Sequence, residues 1–442
     1  MRTIRITSLT VIGVALLYAS AMLAAEKMAE SRPMPPIWKT PDGVAVMVAG
    51  DDLCLAPDAI SEGIPPAVRS DPAMVKDLTA LMDRLLGVVA TNTSATDPSY
   101  YDKGQWHFSN NLIACQGGPA LMAAELWRWR QRHPQAMDDE AKARQPWLHQ
   151  LAVDTFEHLI RDNQAPDGEI KNPGSHAWFV MSDFANTYLL LKESLDRPTR
   201  TRWLGAMKKE VEWFKRNGDI PNPDLTGWLA TTWKASDGWY INGNVNLYQA
   251  ETLYSIYLAT GEPQYKRLFE LEWRHTLSPS QKRWKGFGLF YLKMPTRRDG
   301  SNGAGFVTEK GEGDPGFDIY YTTLQLSVLG RLYVKSHDLR VLRVMNLLVN
   351  AELPHFDAQT LILNGTYGSR HHDIGLFCNV APPVLAWLGG RTDFPSAMPD
   401  LYHKAIKPEY LRNAPMKLGN PGMYRGLGDL ATLLQAAEQA ER

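Results

Sequence analysis

The chain has 442 residues, 47 Lys and Arg against 48 Asp and Glu, a formal net charge of −1 and 44% apolar residues. Near-neutral charge gives no overall field to recruit nucleic acid, which excludes that partner class, while the apolar fraction suffices for a large core. Three cysteines in so long a chain, Cys54, Cys115 and Cys378, exclude a disulfide scaffold; their spacing holds no metal motif, and they read as buried thiols or as one disulfide with one thiol left over.

In chain order, residues 1–25 have the form of a secretory signal peptide. Arg2 and Arg5 precede an apolar stretch from Leu9 to Leu17, followed by the small-residue cleavage patterns Ala19-Ser20-Ala21 and Ala24-Ala25. The apolar run is shorter than the ~20 residues of a membrane span. The expectation is a periplasmic or secreted protein with no stable membrane partner beyond export. Residues 26–442 are expected to form a single domain with an N-terminal extension.

Asp71-Pro72 is a helix cap followed by a first-turn proline, and Val75, Leu78, Leu81, Met82, Leu85 and Leu86 make one apolar stripe after it. Comparable patterns predict helices near 117–131, 147–162, 178–194, 199–216, 245–259, 263–275, 318–335, 338–351, 374–388 and 427–440, with Asn217-Gly218 as a left-handed stop. Val44 to Val48 is the best strand pattern. Two hairpins read as copies: Tyr257, Thr260 and Glu262 correspond to Tyr333, Ser336 and Asp338, each set leading into another helix. Repeated helix pairs bury their faces on their neighbours, and irregular repeats with long aromatic loops favour closure into a ring over an open solenoid.

The fold class expected is therefore all-α. The stretches from Tyr257 to Glu270 and from Gly313 to Tyr333 resemble helix turns and loops of (α/α)-toroid carbohydrate enzymes, a resemblance that covers about residues 100–390. It implies an incomplete ring of about six or seven helix hairpins. It points to polysaccharide lyases of the alginate, glucuronan and chondroitin type and equally to toroid glycoside hydrolases.

Five loop segments carry Gly, aromatic and polar residues beside predicted helices: 105–111, 172–178, 236–246, 313–321 and 364–373. Asn, Asp and Ser at such places serve as caps. The additional Asn, His, Tyr and Arg suit β-elimination on a uronic acid, in which the sugar carboxylate is neutralised before a base removes the adjacent proton. The lyase resemblance implies Asn111 and His176 as neutralisers and Tyr240 or Tyr367 as base and acid. It also implies Asn244, Arg298, Arg370, His371 and Trp239 as substrate-binding residues. His371-His372 with His176 makes a poor metal site, since adjacent histidines seldom reach one ion, so neither metal nor cofactor is expected. Lys282, Arg283, Lys285, Lys293, Arg297 and Arg298 alternate with Trp284, Phe287, Phe290 and Tyr291, which suits an acidic polysaccharide or oligosaccharide and also a solvated surface hairpin.

Two alternatives stay open. A toroid hydrolase needs paired carboxyl groups, for which Asp237, Asp314, Asp318, Glu251 and Asp373 are candidates. A non-catalytic periplasmic glycan-binding protein needs neither arrangement.

Overall fold

Apolar positions at three and four spacing build most of this molecule, and the ends of the helices are written in capping residues. In the computed structural model, the described residues are 46–47, 52–55, 71–91, 100–102, 105–107, 117–171, 177–217, 243–277, 288–309, 317–355, 363–364, 376–377, 398–413 and 421–440. The signal-peptide region, Cys115 and Cys378 lie outside them. No helix among the described residues is long and apolar enough to cross a membrane.

The helices are α1 (Pro72–Thr91), α2 (Gly117–Arg132), α3 (Asp139–His158, extended by a π turn Leu159–Asn163), α4 (Ala177–Leu191), α5 (Arg197–Asn217), α6 (Gly243–Thr260), α7 (Pro263–Leu277), α8 (Ile319–Ser336), α9 (Leu339–Glu352), α10 (Met398–Leu401), α11 (Lys407–Asn413) and α12 (Pro421–Ala440). In α1 the Asp71 carboxylate accepts from the Ala73 and Met74 amides at 2.9 and 3.1 Å, and the predicted stripe is buried.

The hairpin copies are real at atomic detail. Gly261 and His337 are both left-handed, with φ of 72° and 50°. Their amides donate to the Tyr257 and Tyr333 carbonyls, and the Thr260 and Ser336 hydroxyls accept from the Glu262 and Asp338 amides.

Helices α2, α4, α6, α8 and α12 pack in a closed circuit, α12 returning to α2. They run parallel, because contacts advance in step. Gly117 of α2 meets Asp183 of α4, while farther along Glu125 of α2 meets Gln435 of α12. Tyr248 and then Ser255 of α6 meet Arg331 and then Lys335 of α8. Ser327 and then Val334 of α8 meet Asp429 and then Gln439 of α12. Helices α3, α7 and α9 pack on the outside of α2, α6 and α8, α5 lies against α4 and α6, and α1 lies against α2 and α12. This is an (α/α)-toroid: an inner parallel ring wrapped by returning helices.

The core fills the space between the two layers. Trp203 lies edge-on to Phe156 and Phe184, and Trp178 stacks on Phe214 at 4.2 Å. Trp178, which the sequence suggests as a loop residue, is a buried residue of the first turn of α4.

Strands are short. β4 (Leu289–Lys293) and β5 (Ala304–Val307) form an antiparallel hairpin, joined at β4 by β1 (Val46–Met47). β2 (Tyr100–Asp102) pairs with β3 (Gln105–His107). The helix predicted over 374–388 does not hold at its start, where β7 (Leu376–Phe377) pairs with β6 (Leu363–Asn364). Cys54 is a buried free thiol beside the Tyr291 hydroxyl.

Candidate active site

Because the inner helices are parallel, their amino ends, at Gly117, Ala177, Gly243, Ile319 and Pro421, share one rim of the ring. Each end brings the positive pole of a helix dipole to that rim; the first amides of α6 are taken by Thr308 and Glu309, and the Tyr321 amide of α8 by Asp318. Three of the five polar loop segments named above, 172–178, 236–246 and 313–321, run directly into these ends, and 105–111 precedes Gly117 by six residues. Seven of the nine residues singled out in the sequence, Asn111, His176, Trp239, Tyr240, Tyr367, Arg370 and His371, lie outside the described residues, as do Asp237, Asp314 and Asp373.

The other two are far apart. Asn244, in the first turn of α6, is buried and committed to Glu309: its amide donates to Oε1 at 2.9 Å and its side chain to Oε2 at 2.6 Å. Gln325 of α8 donates to the same carboxylate, and the Gly243 amide donates to the Thr308 carbonyl at 2.9 Å. The end of the β5 strand thus ties the starts of α6 and α8 together. Arg298 sits at the opposite end of that hairpin, roughly 20 Å away by strand rise. It is exposed on a turn whose Arg297 and Arg298 carbonyls accept from Arg343 of the outer helix α9 at 2.8 and 3.1 Å. Of the carboxylates considered for hydrolysis, Asp318 caps α8 and Glu251 lies on the ring axis.

That axis is charged and dry. Arg331 of α8 donates to Asp183 of α4 at 2.5 Å and to Asp429 of α12 at 3.2 Å, with side-chain exposures of 3% or less for all three. One turn on, the Lys335 ammonium meets Glu251 of α6, Asn186 Oδ1 at 2.6 Å and Ser255 at 2.7 Å. Glu251 also accepts from Ser182 at 2.5 Å and from Asn186 at 2.8 Å. Ser182 links the two groups, accepting from Arg331 at 3.4 Å. Two glycines leave the room this needs. A side chain at Gly117 would overlap Asp183, and one at Gly428 would approach the Arg331 guanidinium at 2.7 Å.

Burial pushes the Asp183 carboxyl up to about 6, against the Arg331 attraction and reinforced by Asp429 and Glu251. Burial acts on Glu251 in the same sense, but the Lys335 ammonium and the Ser182 and Asn186 bonds hold it below the usual carboxylate range. Asp183 Oδ2 is buried and has no hydrogen-bond partner among the described residues. It lies six residues into α4, about 9 Å below its start, yet level with the first residue of α2. The arrangement can therefore present a protonated carboxylic acid just beneath the rim.

Asp183, Arg331, Lys335 and Asp429 are not apparent from sequence alone. The one signal is an Asp in the otherwise uncharged run from Ala177 to Leu191, since a charge in a helix buried all round implies a partner. Which partner it takes depends on helices 98 to 148 residues apart.

No known protein family matches the chain, and no characterised protein matches it in sequence. Among solved structures it is similar to an unsaturated glucuronyl hydrolase from Streptococcus agalactiae, at 11% identity and a TM-score of 0.48, covering 90% of this chain and 98% of that one. It is similar to a D-mannose isomerase at 14% identity and a TM-score of 0.44, covering 73% and 82%. A glycoside hydrolase family 76 mannosidase from Bacteroides thetaiotaomicron matches at 13% identity and a TM-score of 0.42, covering 84% and 100%. The different reactions in these names do not select a chemistry for this ring.

Proposed function

We propose that the protein is an exported carbohydrate-active enzyme that hydrolyses a glycosidic bond in an acidic polysaccharide or oligosaccharide, with Asp183 as the proton donor. The observation that carries this reading is the buried Asp183 carboxyl, its Oδ2 unpartnered, set just below a rim where five helix amino ends converge. Glycoside hydrolysis needs one carboxylic acid that is still protonated near neutral pH to hand a proton to the leaving oxygen. It also needs a second carboxyl group, for which Asp237 and Asp314, on the loops that open α6 and α8, are the candidates. The basic and aromatic residues of 282–298 favour a polyanionic chain.

A second reading, β-elimination, is favoured by the content of the polar segments in the sequence: Asn111 and His176 to neutralise a uronate, Tyr240 or Tyr367 to move the proton, Arg370 to hold the carboxylate. The two readings part on one assay. Purified mature protein is incubated with a panel of acidic polysaccharides, and both reducing ends and absorbance near 235 nm are followed. Hydrolysis gives new reducing ends without the absorbance, and Asp183→Asn lowers turnover by ~10²-fold or more. Product absorbing near 235 nm, with Asp183→Asn active and a Tyr240 or Tyr367 to Phe variant dead, establishes the elimination. Neither signal with any substrate overturns both.

A further inference from the structure

Most arginines that face inward in this ring have their charge met by the chain. Arg331 has Asp183 and Asp429, Arg340 has Asp338 and Glu270, and Arg128 has Glu125 and Glu438. Arg343 donates to the Arg297 and Arg298 carbonyls and lies against Asp52. Arg130 of α2 departs from this pattern. Its side chain is 7% exposed, and its ionic contact among the described residues is Asp83 of α1, with Nη2 3.4 Å from Oδ2. Its Nη1 is buried and has no hydrogen-bond partner among the described residues. Arg144 of α3 turns to the same carboxylate, with Nε 3.3 Å from Oδ1. Two guanidiniums thus share one carboxylate.

We propose that the junction of α1, α2 and α3 is a binding site for a small oxyanion, held between Arg130 and Arg144 beside Asp83. A buried carboxyl short of partners can take up a proton, but a guanidinium cannot release one, so the charge at Arg130 has to be met by an anion. The pairs already present are loose. Charge-assisted N–H···O contacts close to about 2.7–2.9 Å. Arg340 and Glu270 do so at 2.7 and 2.9 Å, whereas both guanidiniums stand off Asp83 at 3.3 and 3.4 Å. The fork of a guanidinium matches two oxygens of one oxyanion. Asp83 Oδ1 also has no hydrogen-bond partner among the described residues. That open acceptor favours an oxyanion with a hydroxyl next to its acceptor oxygens, a chemistry shared by hydrogen phosphate and by a uronate sugar.

The surroundings hold Arg144 in place. Its guanidinium lies over the Trp147 ring at 4.8 Å, its Nη2 donates to the Asp83 carbonyl at 3.3 Å, and a side chain at Gly87 of α1 would crowd it at 3.3 Å. Asp83 and Arg144 are partly exposed, so the site reaches solvent past them while Arg130 closes it from within. Arg130 stands in the last turn of α2, roughly 20 Å along the helix from its rim end. The site is therefore separate from Asp183, and the inference does not rest on the hydrolase reading.

Calorimetric titration of the mature protein tests it, with sodium phosphate in one arm and sodium glucuronate in the other. The buffer is phosphate-free and near neutral pH, with ionic strength held by sodium chloride. Saturable binding is expected in at least one arm, and the arm that binds names the source: phosphate alone means the free ion, glucuronate an acidic sugar. Arg130→Met is expected to weaken that binding by about tenfold or more, the worth of one hydrogen bond to a charged group. This variant leaves Asp83 and Arg144 as a matched pair, so the fold is expected to survive. Arg144→Met, at the more exposed position, gives the same reading should Arg130→Met not fold. Asp83→Asn removes the resident negative charge and is expected to tighten binding. A general response to salt does not change in opposite directions at these positions. No saturable binding in either arm, binding that is unchanged in Arg130→Met and Arg144→Met, or weaker binding in Asp83→Asn overturns the proposal.

Discussion

Ion pairs occur both on the ring axis and on the outer wall, and they mean opposite things. On the axis, Arg331 and its partners are at most 3% exposed. On the wall, Arg202 and Glu157 are 45% and 27% exposed, and Lys142 and Asp139 are 55% and 101% exposed. A wall pair exchanges one hydrated state for another and contributes about 0–1 kcal/mol. An axis pair has given up its water, and each member depends on the other for solvation. Natural folds can do without buried charge for stability, since apolar residues of similar volume often serve as well. Charge kept on the axis therefore draws attention to function there, whereas charge on the wall does not.

The largest expected effect breaks the axis. Arg331→Met removes the buried cation that Asp183 and Asp429 share, and is expected to cost about 3–5 kcal/mol in urea unfolding. Adding Asp183→Asn to it removes the carboxylate whose cation is lost and is expected to recover part of the loss. An Arg202→Ala variant on the wall is expected to change stability by no more than about 1 kcal/mol. Equal losses at the two sites would erase the distinction between axis and wall.

Between the layers lies a case sensitive to pH. Glu272 of α7 is fully buried against α6, accepting from Asn246 at 2.9 Å, and its Oε2 has no partner. Burial pushes its carboxyl up to about 8, against the Asn246 and Thr276 bonds. The native state therefore binds a proton that the unfolded chain releases above its ordinary value of 4.5. The stabilising difference is fully present below that unfolded value and is lost as pH rises toward 8. The expected slope from this one group is roughly −1.4 kcal/mol per pH unit across that window. Glu272→Gln keeps the shape without the ionisation and should flatten the pH profile of urea unfolding by that amount. An unaltered profile would show that Glu272 is already ionised in the folded protein.

What sequence reveals follows the range of the interaction. Caps and turns are local, so Asp71-Pro72 and the two copies at Tyr257 and Tyr333 are legible down to the residue that turns left-handed. Helix α3 begins at Asp139 rather than near 147 because Pro146 falls inside it and the true cap is Asp138, which accepts from the Ala141 amide. A proline normally argues for a boundary. Residues 376–377 have the apolar content of a helix, yet their pairing with 363–364 is set from outside the segment. The region 398–413 escapes because a π turn, Tyr402–Ile406, interrupts the helical period between α10 and α11. The starts of α4, α6 and α8 on the rim were legible as loops, because the polar segments 172–178, 236–246 and 313–321 each precede an apolar stripe. The axis was not, because no local rule places Asp183, Arg331 and Asp429 at one point.

The smallest effects come from two glycines in helix interiors, and they carry the comparison down to single methyl groups. Glycine in a helix costs about 0.5–1 kcal/mol relative to alanine, mostly through the freedom of the unfolded chain. On the wall, a Cβ at Gly205 of α5 meets nothing within 4 Å, so Gly205→Ala should stabilise by about that amount. On the axis, a Cβ at Gly428 would lie 2.7 Å from the Arg331 guanidinium and 3.4 Å from both Asp183 and Leu121. Arg331 is pinned by two carboxylates and cannot swing aside without breaking them, so the propensity gain is outweighed and Gly428→Ala should cost about 1–3 kcal/mol. The pair is measured by urea unfolding near neutral pH. Stabilisation by both alanines would mean that the axis is loose enough to repack, and with it would go the fixed geometry that holds Arg331 between Asp183 and Asp429.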